Sequence, residues 1–281
     1  MTDATSLPLP PACPPHARRF RVEVGDAYLE VLQLPAPAAA PSQRAPLVFL
    51  HEGLGSVALW GQRHRYWPAE VATATGRAAW VCSRRGYGAS DPIPDVRGQG
   101  RHTPDYMHRE AADTLPRLLG ALSVERPVLI GHSDGATIAL LHASQHPVAA
   151  CVAMAPHVMV EDVALTSIAG ARQAYLQGPL RERLTRYHAD VDNAFWQWND
   201  VWLSDAFASF DMRADCARIT CPLLLVQGEE DEYGTLAQLE AIEHQAPHAR
   251  RMVLTPCGHS PHRDQPEAVT ESIRTFLDDV P

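Results

Sequence analysis

Arg126-Pro127-Val128-Leu129-Ile130-Gly131-His132-Ser133-Asp134-Gly135 is the stretch on which the reading of this 281-residue chain turns. The apolar run Val128 to Ile130 suits a buried strand, and Ala136 to His146 suits a helix. Between them stands Gly-x-Ser-x-Gly, so the context is strand, sharp turn, helix, which makes the motif a nucleophile elbow rather than a chance match in a loop. Glycine two positions either side of Ser133 removes the Cβ groups that such a strained turn would not admit. The serine Oγ is then expected to project from the tip of the strand, above the positive end of a helix, where an anionic intermediate is favoured.

Working outward, the flanking sequence keeps the same rhythm. Phe20 to Val24 and Tyr28 to Leu32 alternate apolar and polar around Gly25-Asp26, the signature of an opening antiparallel hairpin. A Pro/Ala-rich connection (Pro35 to Pro46) leads to Leu47-Val48-Phe49-Leu50, a continuous apolar run for a strand buried on both faces. Trp67 to Thr75 reads as a helix stopped by Gly76, Ala78 to Cys82 as the next strand, and Ser90 to Gly100 as a loop. Asp105 to Leu122 reads as one helix opened by Thr103-Pro104 and kinked at Pro116. Strands follow at Ala149 to Met154, Leu223 to Val226 and Arg251 to Leu254, with helices at Leu236 to Gln245 and Pro266 to Leu277. Alternating strand and helix predicts an α/β, doubly wound, mostly parallel sheet.

The rhythm breaks between Pro156 and about Ala217. There Asp162 to Tyr175 and Leu180 to His188 have helical periodicity, and Phe195, Trp196, Trp198 and Trp202 form an aromatic patch. Residues 157–215 are therefore expected to be an inserted helical cap, with 18–156 and 216–281 as the core. Residues 1–17 are expected to be a flexible arm, because Pro8, Pro10, Pro11, Pro14 and Pro15 exclude regular structure.

Composition bounds the partners. Hydrophobic residues are 46% and charged residues 20% of the chain, ordinary for a soluble globular protein. The 24 basic residues against 33 acidic give a net charge of −9, scattered rather than patched. That argues against nucleic acid and against an anionic membrane surface, leaving a small-molecule substrate as the expected partner and a homodimer open. No apolar run reaches the roughly 18 residues of a membrane span, and the N-terminus lacks the pattern of a signal peptide. A reduced, cytoplasmic location is the expectation. Cys82 and Cys151 fall in apolar strands and read as buried thiols, while Cys216 and Cys221 are too weak a pair to imply a disulfide or metal.

A serine needs a base, and the base an orienting group. Both are expected on loops at the carboxyl ends of later parallel strands. After Leu223–Val226 comes Gln227-Gly228-Glu229-Glu230-Asp231, and after Arg251–Leu254 comes Thr255-Pro256-Cys257-Gly258-His259. The order Ser, acid, His is the one found with nucleophile elbows. Glu229 and Glu230 rival Asp231 as the acid, and His262 rivals His259 as the base. Arg85 to Asp91 lacks Gly-x-Gly-x-x-Gly and any Lys-Ser/Thr, so no nucleotide is expected. His259 and His262 have no third ligand spaced to join them, so neither metal nor cofactor is expected.

From about Phe20 to the C-terminus the chain resembles the α/β-hydrolase superfamily, in its capped serine esterase-like branch. The motifs that carry the resemblance are His51-Glu52-Gly53-Leu54-Gly55-Ser56, Arg85-Gly86-Tyr87-Gly88-Ala89-Ser90-Asp91, Gly131-His132-Ser133-Asp134-Gly135, Gly228-Glu229-Glu230-Asp231 and Gly258-His259-Ser260-Pro261-His262. The resemblance implies Ser133 as nucleophile, Asp231 as acid and His259 as base. It implies an oxyanion hole from the Asp134 and Gly53 backbone N–H groups, with Leu54 as second candidate. His51 is expected to be a structural residue under that loop, and Arg85 to Asp91 a structural turn. Glu52 departs from the family's glycine; its side chain is expected to point to solvent, the alternative being a carboxylate at the pocket mouth.

The activity so implied is hydrolysis of a small carboxylic ester. Thioester hydrolysis and carbon–carbon cleavage of dienoate ring-cleavage products are alternatives, the latter disfavoured because its branch resembles Gly-Asn-Ser-x-Gly where this chain has His132. A ligand-sensing receptor on the same scaffold is the non-enzyme alternative. Leu54, Trp196, Trp198 and Trp202 are the candidate substrate-binding residues, although Trp196, two before Trp198, would leave the face that Trp198 and Trp202 can share. Packing of the cap onto the core is the competing role for the tryptophans.

Overall fold

Six parallel strands carry the site. The computed structural model describes residues 2–3, 6–37, 44–62 and 64–280. Its strands are β1 (Thr2–Asp3), β2 (Arg18–Val24), β3 (Ala27–Leu34), β4 (Leu47–Leu50), β5 (Ala79–Cys82), β6 (Val128–His132), β7 (Ala150–Met154), β8 (Leu223–Gly228) and β9 (Arg250–Leu254). They form one sheet in the spatial order β1-β2-β3-β5-β4-β6-β7-β8-β9. The first three and the β3–β5 pair run antiparallel, and all pairs from β5 to β9 run parallel. The chain winds outward from β4 to β5 and then returns to β6 on the other side of β4. The order therefore reverses between β4 and β6, and a binding crevice is expected at their carboxyl ends.

Period-2 alternation explains why these runs are wholly apolar. Val48, Leu50, Leu129, Cys151 and Ala153 feed one buried cluster, and Leu47, Phe49, Val128, Ile130, Val152 and Met154 feed a second on the opposite face. Helix α1 (Trp67–Thr75) and the helix Pro266–Phe276 cover the second face, and α4 (Asp134–Ala143) the first. Gly76 ends α1 in the left-handed conformation at φ 64°. All six cysteines are free. Among the described residues no helix is long and apolar enough to cross a membrane.

Three local expectations differ from the structure. The helix expected over Asp105 to Leu122 is split into α2 (Tyr106–Arg109), a wide π-type turn at Glu110–Thr114, and α3 (Leu115–Ala121). Pro116 lacks an N–H and its ring crowds the carbonyl four residues back, and the widened turn just before it takes up that conflict. Asp105, not Thr103, occupies the capping position. The prolines of the arm do not bar Thr2–Asp3, which precede them, from pairing with Arg21 and Val22 of β2. Farther along the arm, Leu7 N–H donates to Arg19 O, and two tight turns close at Pro10–Cys13 and Pro14–Ala17. Met1, Ala4, Thr5 and residues 38–43 of the Pro/Ala-rich connection lie outside the described residues.

Between β7 and β8 the inserted segment contains α5 (Asp162–Gln177), α6 (Leu180–Leu184), α7 (Val191–Trp202) and α8 (Arg213–Cys216). Its two ends meet: Met159 and Asp211 form an antiparallel bridge, and Met212 N–H donates to Val158 O at 2.9 Å. Asp190 caps α7 by accepting from Asn193 N–H, so the aromatic helix begins at a defined residue.

Candidate active site

Ser133 sits where β6 turns into α4, at φ 53° and ψ −120°, a conformation that costs a non-glycine residue on the order of 1–3 kcal/mol. The turn is held by Ser133 N–H donating to Met154 O at 2.9 Å and by Ser133 O accepting from Ala136 and Thr137 N–H. A Cβ on Gly131 would lie 2.3 Å from Gly135 O, and one on Gly135 would lie 2.1 Å from Leu50 O. Gly131 is thus required by the close return of the helix onto the strand, and Gly135 by contact with the end of the neighbouring strand β4.

The loops after β8 and β9 bring Asp231 and His259 together. His259 Nδ1 donates to Asp231 Oδ1 at 2.8 Å. The same oxygen accepts from Tyr233 and Gly234 N–H, and Oδ2 accepts from Gln227 Nε2. Burial works to raise the Asp231 carboxyl, but the hydrogen bond and charge of His259 hold it below the usual carboxylate range. With Nδ1–H committed to the carboxylate, His259 keeps Nε2 as a bare acceptor. The rivals have other engagements. Glu229 accepts from Thr255 Oγ1, Glu230 is exposed, and His262 packs at a tilt against Trp60 and Trp67, with ring centroids 4.8 Å and 5.2 Å away.

Opposite the elbow runs the His51–Ser56 arm that follows β4. His51 is fully buried; its Nδ1 donates to Glu52 O, and its Nε2 accepts from Arg84 N–H. Arg84 then ties arm to elbow, because its guanidinium donates to His51 O at 2.6 Å and Glu52 O at 3.2 Å and lies 3.6 Å from the Asp134 carboxylate. His188 of the cap accepts from Gly88 N–H and donates to Leu54 O, both at 3.0 Å. Gly53 N–H has no backbone acceptor among the described residues. Asp134 N–H is the first of α4 and has no intrahelical acceptor. Two free donors therefore flank the serine.

The Glu52 side chain does not point to solvent as expected. It folds inward over the elbow, with Oε2 3.4 Å from His132 Nδ1, and lines the cavity. His132 Nε2 in turn donates to His259 O at 2.7 Å. Burial opposes ionisation of Glu52, yet the hydrogen bond and charge of His132, with Arg263 and His262 nearby, outweigh it and hold the carboxyl well below its ordinary range. Arg84 pins the arm at the His51 and Glu52 carbonyls, and the 18% of the Glu52 side chain that stays exposed belongs to a residue of the cavity wall.

The Asp134 side chain, which the sequence reading left out, is 1% exposed and accepts from Tyr106 Oη at 2.7 Å and Trp202 Nε1 at 3.2 Å. Burial raises its carboxyl, partly offset by Arg84 and these two donors. This carboxylate joins the elbow to α2 and to the cap helix α7. Asp134→Ala would take the carboxylate from a buried cation and a buried hydroxyl, while the Trp202 indole N–H would keep Tyr106 Oη as acceptor at 3.0 Å. We expect a loss of roughly 3–5 kcal/mol in urea unfolding, whereas Tyr106→Phe should cost about 1 kcal/mol.

A cavity of about 390 Å³ lies over Ser133, with Gly53, Leu54, Trp198, Trp202 and His259 in its wall. Trp196 is not there. It packs outside, with the Arg97 guanidinium 3.8 Å from its ring and Tyr175 edge-on at 5.6 Å, because two residues along a helix is the far side. Trp198 lies so close over the arm that a Cβ on Gly53 would stand 2.2 Å from its Nε1. Gly53→Ala must push arm and cap apart, and if Gly53 N–H is an oxyanion donor, as the sequence reading expects, a shift of about 1 Å should lower kcat on the order of 10²-fold. His157, Tyr233, Arg183 and Arg263 also line the cavity and were missed. His157 and Tyr233 follow the ends of β7 and β8, and that position was the available signal.

Among curated proteins the chain is 25% identical, over 246 residues, to a protein named as a carbamate hydrolase, RutD, of Cronobacter turicensis, covering 79% of this chain and 86% of that one. Among solved structures it is similar to the proline iminopeptidase of Mycobacterium smegmatis at TM-score 0.67 and 19% identity, covering 92% and 97% of the two chains. It is also similar to Est816, described as an N-acyl homoserine lactone degrading enzyme, at TM-score 0.65 and 21% identity, covering 91% and 99%. At those identities the structures speak for the fold alone. Residues 47–272, well over half of the sequence and spanning β4, the elbow, the cap and both partner loops, match the model of one family, and the chain belongs to the alpha/beta hydrolase family.

Proposed function

We propose that this hydrolase cleaves a small carboxylic ester through an acyl-enzyme, with Ser133 as nucleophile, His259 as general base and then acid, and Asp231 as the group that orients His259. The observation that carries the reading is the Asp231–His259 hydrogen bond at 2.8 Å, with Ser133 raised on a strained elbow in the wall of the same cavity. Ser133 Oγ attacks the ester carbon while its proton passes to His259 Nε2. The oxyanion is held by Gly53 and Asp134 N–H, a contribution of roughly 10²–10³ in kcat per donor in comparable sites. His259 returns the proton to the departing alkoxide. Water then enters, gives a proton to His259 and attacks the acyl carbon, so that the acid leaves and Ser133 is restored.

The substrate is small because a cavity of about 390 Å³ stands at the low end of small-molecule sites. Iminopeptidase and lactone-degrading activities are named for proteins of this same architecture, so the backbone does not choose the substrate and the cavity wall must. The test is labelling with a fluorophosphonate followed by mass mapping. An adduct on the peptide carrying Ser133, lost in His259→Ala, is the expected result. An adduct elsewhere, or full labelling of His259→Ala, refutes the assignment.

A further inference from the structure

Two polar side chains in the cavity wall make no hydrogen bond to any described residue. Trp198 is 6% and His157 3% exposed, and of their nitrogens only His157 Nδ1 is sealed from solvent. A donor sealed in the interior without a partner costs about as much as a lost hydrogen bond, whereas one that reaches a cavity is paired by whatever fills it. Two unpaired groups in the wall of one cavity are therefore placed to meet a ligand there.

Their placement is rigid. Thr137 Oγ1 accepts from His157 N–H at 3.0 Å and donates to His157 O at 2.8 Å, and Trp202 meets the imidazole edge-on at 5.1 Å. The His157 ring lies 5.7 Å from the ring of His259. Trp198 is fixed against Gly53 and, edge-on at 6.0 Å, Phe195. One group thus stands by the base and the other by the oxyanion arm.

Both are donors. Burial pushes His157 down to about 3, so its ring is neutral and carries one proton. Nδ1 is sealed off without an acceptor, and an orphaned buried N–H is rarer than an orphaned lone pair, so the proton belongs on Nε2, towards the cavity. The wall holds three carboxyl side chains, Glu52, Asp134 and Glu232, against Arg183 and Arg263, so it offers no net positive charge for an anion.

We infer that Trp198 Nε1–H and His157 Nε2–H form a subsite that reads a neutral oxygen acceptor (ether, keto or amide oxygen) on the substrate next to the scissile ester. The inference rests on the hydrolytic reading above and adds the substrate class. Its test compares p-nitrophenyl methoxyacetate with p-nitrophenyl butyrate, which differ by one oxygen for one methylene. The ratio of their kcat/KM values in wild type, Trp198→Phe and His157→Phe cancels whatever each variant does to both esters alike, and the wild-type ratio carries their intrinsic reactivity. Loss of one neutral hydrogen bond should lower the ratio about three- to tenfold in at least one variant, and His157→Gln, which keeps an N–H, should retain it. A ratio within twofold of wild type in both phenylalanine variants overturns the subsite. Fluorophosphonate labelling of each variant at Ser133 shows that the nucleophile is intact, so this failure is separate from failure of the hydrolytic reading. Wild-type protein that hydrolyses neither ester sinks both.

Discussion

Ser133→Ala is expected to lower kcat for p-nitrophenyl butyrate by roughly 10⁶-fold, the scale seen when a triad serine is removed. The loss is that large because, in the proposed mechanism, serine, base and acid act as one unit. Without Oγ there is nothing for His259 to deprotonate, and the two-step path through an acyl-enzyme closes. Some acceleration over water should persist, since Gly53 and Asp134 N–H still hold a carbonyl oxygen and the cavity still binds substrate. The variant should fold, because the contacts that shape the elbow are made by the Ser133 backbone with Met154, Ala136 and Thr137. A progress curve and a melting curve decide the matter together. Activity within tenfold of wild type in a normally folded Ser133→Ala protein would exclude the acyl-enzyme, and lost activity in a protein that no longer melts cooperatively would point to the fold instead.

Asp231→Asn carries the second-largest expectation, a fall in kcat of about 10⁴-fold with little change in KM, by analogy with the same change in a serine protease triad. The carboxylate accepts from His259 Nδ1 and thereby leaves Nε2 bare for the serine proton. An asparagine amide presents N–H groups to the same ring, and the imidazole that satisfies it carries its proton on Nε2, the wrong nitrogen for a base. The pH direction follows from the lowered Asp231 carboxyl. A carboxyl whose folded value lies below its unfolded value contributes stability that is present above the unfolded value, near 4, and is lost as pH falls through the folded one. The pair is therefore intact across neutral pH. Kinetics at pH 7 on the asparagine variant, with unfolding curves down to pH 3 on both proteins, check the two halves. A kcat within tenfold of wild type would move the orienting role to another acid.

Much of this architecture was legible because it rests on local pattern. Leu47–Leu50, Val128–Ile130 and Ala150–Met154 are apolar throughout since both faces of a parallel strand are covered, and turn residues bracket each run. Glycine spacing around Ser133 announced a turn that admits no Cβ. The split before Pro116 was half visible: proline signals a conflict, but whether the chain kinks or widens by one residue depends on what the helix packs against. Trp196, Trp198 and Trp202 show the limit from the other side. Their spacing separates the faces, and only the packed cap says that Trp198 and Trp202 look into the cavity while Trp196 carries Arg97 outside.

By itself the sequence determined the alternating α/β order and the insertion after β7, and it named the candidates for acid and base. Periodicity and backbone strain are short-range properties, and they are written residue by residue. Tertiary structure alone decided that Glu52 turns inward to His132, that the Asp134 carboxylate joins the elbow to Tyr106 and Trp202, and that the His157 and Trp198 side chains make no hydrogen bond to any described residue. Each of these is a contact, or a missing contact, between positions far apart in the chain. Its energy depends on burial and on distances of a few ångströms, which no local pattern carries.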